Sequence, residues 1–435
     1  MEGLAAESFE HRVARPCKEG NNRSMRACSA LARRCVLVGS VVGMGVVAAP
    51  AAQKPDVQAQ LDELRQRNDK LEARVAELEG GVGAEGQDAG GMIARFGEVT
   101  ATFNIFGDVG FAYDNPEVGA GDEGSFFLGS VALFANVQLG DRFRVLSESV
   151  LAQRGASSAI AIDQERLWAM WTVNDLLYVK LGTEHSPVSR WNQLYHHGHW
   201  LETSISRPYL ARFEGGGGVL AMHTTGVELG GRMQPAAGGV DWFLSVSNGR
   251  GIDATDKQRS FDRNNDKKID AGVAWQPSCV PDLRVGIACT FDDIPPDATS
   301  VIPDRARSIA ERVYAANLEY RAGPIDVIGE FAWIEHDARA SQTSTEHHTG
   351  YLQADWRAGA VTPFVRFDYR TMAMGDAFYV SLNRDLDAWQ QVLGVRYDAT
   401  ENLAVKVEVG FERAELRGGG DVDTVSGGLQ VSWVF

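Results

Sequence analysis

Between Tyr195 and Trp200 the chain reads YHHGHW, three histidines and two aromatic residues in one short stretch. Imidazoles this close together could hold a transition metal. A zinc ion takes three or four converging ligands, commonly with a carboxylate or cysteine among them, and outer groups that fix each ring. His196 and His197 are adjacent and tend to point apart, and no cysteine lies near. The expectation is no metal and no cofactor. His196, His197 and His199 would pack or line a polar surface, with Trp191, Tyr195 and Trp200 as anchors. A second stretch, DRNNDKKID, spaces Asp262, Asn264, Asp266 and Asp270 like the start of a calcium loop. Lys267 stands where that motif needs glycine, and the late bidentate Glu is missing, so a solvated loop is the better reading. For hydrolysis the only raw material is His223 and the serines at 204 and 206. No G-x-S-x-G elbow accompanies them, so no enzyme is expected.

These residues belong to a chain of 435 residues with net charge −16, which argues against nonspecific nucleic-acid binding. Hydrophobic content is ordinary at 44%, and glycine is high at 47 residues. Near the N-terminus Arg26, Arg33 and Arg34 precede an uncharged apolar run, Cys35 to Val47, and then Ala49 and Ala51 in an A-x-A arrangement. Positive, apolar and small-residue regions in that order form a secretory signal. Residues 1–51 are therefore read as an N-terminal extension and signal peptide, with Met25 as an alternative start. Cys17, Cys28 and Cys35 would leave with it. Cys279 and Cys289 remain, expected in a turn and on an outward strand face, without a bridge. Beyond the signal no apolar run is long enough for a membrane helix.

Residues 52–78 are helical in pattern. Val57, Leu61, Leu64, Asn68, Leu71, Val75 and Leu78 alternate steps of four and three, the a/d seam of a coiled coil. Asn68 occupies an a position, where a buried polar side chain fixes register and oligomer state. Such a stripe cannot be buried alone, so copies of the chain should lie side by side. Residues 79–95, rich in glycine, read as a linker.

From residue 96 the period falls to two. In VTPFVRFDYRT, Val365, Phe367 and Tyr369 share one face and Arg366, Asp368 and Arg370 the other. In LAVKVEVGFER, Val405, Val407 and Val409 oppose Lys406 and Glu408. About 16 such strands are expected, each nearly long enough to cross a membrane at a tilt. Their connections alternate between short turns, such as Gly140-Asp141 and Gly359-Ala360, and long loops, the longest over roughly residues 184–218. A soluble sandwich has no reason to alternate in this way, whereas an outer-membrane barrel has short periplasmic turns and long external loops. The last strand, TVSGGLQVSWVF, puts Val425, Leu429, Val431, Trp433 and Phe435 on one face. An open apolar edge would aggregate, and in hydrocarbon only closure satisfies every backbone group. The fold expected is all-β, a transmembrane antiparallel barrel over residues 96–435, preceded by the short α-helical coiled coil.

Signal, periplasmic coiled coil, about 16 strands, a very long third loop and a terminal Phe together resemble a Gram-negative trimeric porin. Locally, RLWAMWTVNDLLYVKLGTEHSP followed by WLETSISRP looks like the phosphate-selective porin O/P group. The resemblance implies a homotrimer with one pore per subunit, a third loop folded inward to narrow each lumen, and a C-terminal strand that the barrel assembly machinery reads through Phe435. The phosphate-selective group uses an arginine ladder and a lysine cluster. Here the arginines are scattered and lysine is almost absent.

Alternation aims Arg142, Arg144, Arg284, Arg366, Arg370 and Arg396 at the lumen, with Asp241, Asp368, Lys406 and Glu408. The third loop adds Arg190, Arg207, Arg212 and the histidines. Rings of side-chain charge set ion preference in a pore, and a small basic excess leans towards anions. The alternative role for each wall arginine is to brace the third loop. The function expected is passive diffusion of small hydrophilic solutes and ions across the outer membrane. Two alternatives are a substrate-specific channel, for example for oxyanions, and a barrel anchor tethering the membrane to the cell wall through the coiled coil.

Overall fold

The computed structural model describes residues 91–435 apart from 117–122, 154–159, 197, 215–216, 257–261, 263–264 and 383–386. The expected signal peptide, the coiled coil with Asn68 and most of the linker lie outside the described residues.

Seventeen strands are described: β1 (Gly91–Phe96), β2 (Val99–Pro116), β3 (Glu123–Leu139), β4 (Phe143–Gln153), β5 (Ile160–Asn174), β6 (Leu177–His185), β7 (His223–Met233), β8 (Gly238–Asn248), β9 (Lys267–Pro277), β10 (Leu283–Ile294), β11 (Ile309–Ala322), β12 (Ile325–Ala338), β13 (Thr343–Trp356), β14 (Val361–Thr371), β15 (Ala388–Thr400), β16 (Leu403–Glu415) and β17 (Asp421–Val434). From β2 to β17 each strand pairs antiparallel with the next, and β17 returns to β2, closing the barrel. Closure runs to the end of the chain, where the Phe435 amide donates to Ile105 O at 2.9 Å and Ile105 N to Phe435 O at 2.7 Å. The extra strand β1 departs from the expected linker. It pairs with β2 over residues 99–104, while β17 pairs with β2 from Phe106 to Pro116, so β1 prolongs the seam beyond the C-terminus.

The alternation is that of a wall with lipid outside. On β16, Val407, Val409 and Phe411 are exposed, while Lys406 and Glu408 are buried inside. On β14, Val365 and Phe367 face out and Arg366, Asp368 and Arg370 face in. Trp171, Trp275, Trp356 and Tyr397 stand exposed near the short-turn end, and Phe291, Tyr314, Trp333 and Trp389 towards the other. Aromatic girdles at both interfaces are the mark of such barrels. Gly140, Gly323 and Gly359 have φ of 56°, 56° and 67° in the short turns, the left-handed region that favours glycine. Arg142 is a correction. The first short turn extends through residue 142, so Arg142 is an exposed turn residue and lies outside the strand expected to carry it.

Candidate pore site

The connection between β6 and β7, here L3, occupies residues 186–222 and packs against the inward-facing side chains of β12, β14 and β16. It begins with the helix α1 (Arg190–Tyr195). Six residues cannot hold a helix by themselves, and the wall supplies the support. Glu330 on β12 accepts from the Trp191 amide at 2.6 Å, the Arg190 amide at 2.6 Å and Ser189 Oγ at 3.3 Å. A carboxylate at a helix N-terminus is favoured by the unpaired amides and the helix dipole. Trp191 is fully buried, edge-on to Tyr195 and Tyr351. Leu210, Val219 and Met222 of L3 join it with Ile294, Ile309 and Ile334 of the wall in one apolar cluster.

The middle of the loop, residues 199–206, is held largely by its backbone. Arg366 donates to Ser206 O at 2.7 Å, Ser206 Oγ at 2.8 Å and Ser204 Oγ at 3.0 Å, and pairs with Asp368 at 2.9 Å. Lys406 Nζ donates to Ser204 O at 3.1 Å and also to His199 O. Arg396 donates to Glu202 O at 3.0 Å and to Trp200 O. Glu408 accepts from the Ile205 amide at 2.7 Å and the Ser206 amide at 3.0 Å. Three cations and one carboxylate of the wall thus clasp residues 199–206. The Cβ of a residue at 428 would sit 3.0 Å from Ile205 Cδ1, so glycine there leaves room for the loop.

The other expected pore residues divide. Arg190 pairs with Glu319, and Arg284 reaches both Glu319 at 3.4 Å and Asp241 at 3.8 Å. Arg207 is half-buried within L3, donating to Tyr195 O at 3.2 Å and Ala211 O at 3.1 Å and stacking over Phe213. Arg212 faces Glu412 at 3.5 Å and lies over Tyr209, as does Arg370. Arg144 donates to Asn136 at 2.6 Å. His199 pairs with Glu202 at 2.6 Å. Burial pushes the Glu202 carboxyl up, but the hydrogen bond and charge of His199, with Lys406 and Arg207, hold it below its ordinary value. His197 lies outside the described residues.

The acidic stretch does not assemble. Asp262 pairs with Lys267, and Asn264 lies outside the described residues. Asp270 is in the wall on β9, bound to Ser245, Thr290 and Lys268 at 3.0, 2.7 and 3.1 Å. One group was not foreseen. His185 and His223 are directly opposed across β6 and β7, and His196 of L3 meets them. The signal lay in their positions at the two feet of the loop, which only the strand register reveals.

L3 leaves water-sized space on both sides. Towards the short turns a cavity of about 380 Å³ is lined by Arg190, Arg232, Arg284, Asp175, Glu228 and Asp241, and another of about 430 Å³ by Arg321, Arg357, Arg396, Asp326, Asp355 and Asp398. Towards the long loops one of about 470 Å³ is lined by Arg212, Glu408, Glu412, Asp114, Gln390 and Ser426, among others.

A closed barrel of this kind has solved counterparts. The outer-membrane channel DcaP of Acinetobacter baumannii superposes with a TM-score of 0.52 at 10% identity, covering 77% of this chain and 97% of that one. The anion-selective porin from Comamonas acidovorans gives 0.55 at 13%, covering 78% and 100%. The fold is that of the outer-membrane porins. The trimer form of the Vibrio cholerae outer-membrane protein OmpT shares this porin fold at 0.50 and 11%, covering 77% and 99%. In sequence, no family profile and no curated protein matches the chain. At these identities the likeness is one of fold.

Proposed function

We propose that this chain is an outer-membrane porin that passes small hydrophilic solutes and ions by passive diffusion, working as a homotrimer. The observation that carries the reading is L3 clasped inside a closed barrel with ionic cavities on either side. A loop seated this way narrows a lumen that sixteen strands would otherwise leave wide. Self-association is supported by the trimeric neighbour. Anion preference has weaker support. Arg366, Arg396 and Lys406 are engaged with the loop backbone. The cavities at the short-turn end are lined by equal numbers of arginines and carboxylates. The third is lined by one arginine and three carboxylates. Selectivity should therefore be weak, and oxyanion specificity is not favoured by these linings.

The test is single-channel conductance of the purified protein in a planar bilayer, with a salt gradient across it. Steps in threes with a small reversal potential support the proposal. A sealed bilayer with correctly folded protein overturns it and favours the membrane anchor.

A further inference from the structure

We propose that His185, His196 and His223, with Glu165, form a site for one divalent transition-metal ion of the zinc class, joining L3 to the barrel wall. The inference is independent of whether the barrel conducts.

Four observations converge. First, each of the three histidines offers a ring nitrogen, and these lie within 4.8 Å of one another. Ligands at the usual zinc–nitrogen length of about 2.0–2.1 Å stand about 3.4 Å apart in a tetrahedron, so binding requires the rings of His185 and His196, stacked with centroids 3.8 Å apart, to turn towards a common centre. Second, all four side chains are at least nine-tenths buried: His185 3%, His196 1%, His223 4% and Glu165 3% exposed. Third, the orienting contact is in place. His196 Nδ1 faces Asn192 Oδ1, an acceptor, so Nδ1 carries the proton and Nε2 presents its lone pair to the cluster. Holding one nitrogen by hydrogen bond to free the other is what metal-ligating histidines do. Asn192 is itself fixed, donating to Met222 O at 2.7 Å and Ser186 O at 3.3 Å.

Fourth, the carboxylate is delivered by an irregularity. The β4–β5 register shifts between Glu148 and Ser149, where Glu148 opposes Arg166 and Ser149 opposes Gln164. Glu165 is therefore the extra residue of a bulge, and bulges re-aim side chains. Its Oε2 stands 2.6 Å from His223 Nε2 and 3.6 Å from His196 Nε2. The nearby Glu148 pairs with Arg166 and also lies 3.5 Å from His185 Nε2. Three imidazoles and one carboxylate are four donors, enough to fill the tetrahedron of a zinc or similar ion.

A second group, His336, His347 and Asp376, is different. Asp376 Oδ2 takes hydrogen bonds from His336 at 2.7 Å, Thr345 at 2.7 Å and His347 at 3.2 Å, and Oδ1 from the Phe378 and Tyr379 amides. His336 Nε2 bonds Glu311 at 3.2 Å. That group is a satisfied hydrogen-bond network, and an ion would have to break it.

The experiment uses the full chain, folded in detergent and stripped with chelator, titrated calorimetrically with Zn²⁺. In parallel, Co²⁺ absorption reports coordination geometry. The expected result is one ion per chain with micromolar or tighter affinity and the intense visible bands of low-coordinate cobalt. His196→Gln, in the loop and outside the barrel wall, should weaken binding at least 10-fold, and Glu165→Gln should weaken it while leaving the barrel heat-modifiable on gels. His336→Gln should change nothing. No saturable binding to the folded wild type overturns the proposal. So does binding that survives His185→Gln/His196→Gln/His223→Gln in protein that remains folded, or binding lost only with His336→Gln.

Discussion

Replacing Arg366 by Ala tests whether the wall cations hold the loop or select ions. Arg366 is fully buried and makes three hydrogen bonds to Ser204 and Ser206 beside its pair with Asp368. Each bond to a charged group contributes about 1.5–3 kcal/mol, and removing one partner of a buried pair costs about 3–5 kcal/mol because the other charge is left uncompensated. The sixteen-strand ladder does not depend on this side chain, so the cost falls on the seated position of residues 199–206. A loss of about 3–5 kcal/mol lowers the seated-to-released ratio by a factor of about 10² to 10³ or more. The expected record is a larger and noisier single-channel current in R366A, with the reversal potential nearly unmoved. Asp368→Asn in the same chain should recover part of the quiet state, since the orphaned charge is then gone. A quiet current of wild-type size with a shifted reversal potential would refute the clasp and make Arg366 a selectivity residue.

Further outcomes follow from other contacts. Trp191→Ala removes a fully buried indole from the L3 cluster and should cost about 3–5 kcal/mol, read as faster protease cleavage within residues 186–222. Asp376 in the β14–β15 loop is pushed up by burial, but the charge and hydrogen bonds of His336 and the hydrogen bond of His347 carry it far below its ordinary value. Its folded value is depressed, so its contribution is present above the unfolded value of about 3.9 and lost only as pH falls through the folded one. Hydrogen exchange in that loop should therefore be unchanged by titrating Asp376 between pH 7 and about 4, and Asp376→Asn should loosen it at pH 7. The Phe435 side chain is 62% exposed while its backbone closes the seam. Phe435→Ala should leave unfolding of the purified barrel within about 0.5 kcal/mol, as for a surface change, while lowering the amount assembled in the outer membrane of cells.

The barrel wall was legible because hydrocarbon imposes one rule on every strand: apolar residues outward at period two, with no unpaired edge. Val365 and Phe367 against Arg366 and Asp368 could be assigned faces without knowing their neighbours. Two things escaped. β1 reads GMIARF, with no clean alternation, and its role depends on where β17 stops along β2. Arg142 was misplaced because a turn one residue longer than expected moves the first residue of the strand out of the wall, the small-scale form of a register slip.

For the loop and the wall facing it, the sequence carries which positions face inward but not what each side chain meets there. The loop's length and the basic wall positions could be read from sequence. What the arginines do depends on whether a loop carbonyl or water stands in front of them, and a strand pattern does not contain that. The histidines show the same limit. Judged by sequence neighbours, His196 had only His197 and His199 for company. Its actual neighbours are His185 and His223, which a 37-residue excursion separates in the chain and one cross-strand pairing joins. A metal would strengthen that join from both sides, wall and loop, without touching the clasp at residues 199–206. If both are present, L3 is fixed at its feet by coordination and at its far segment by charge. Chelation and R366A should then each release a different part of the loop, and their effects on protease cleavage should add.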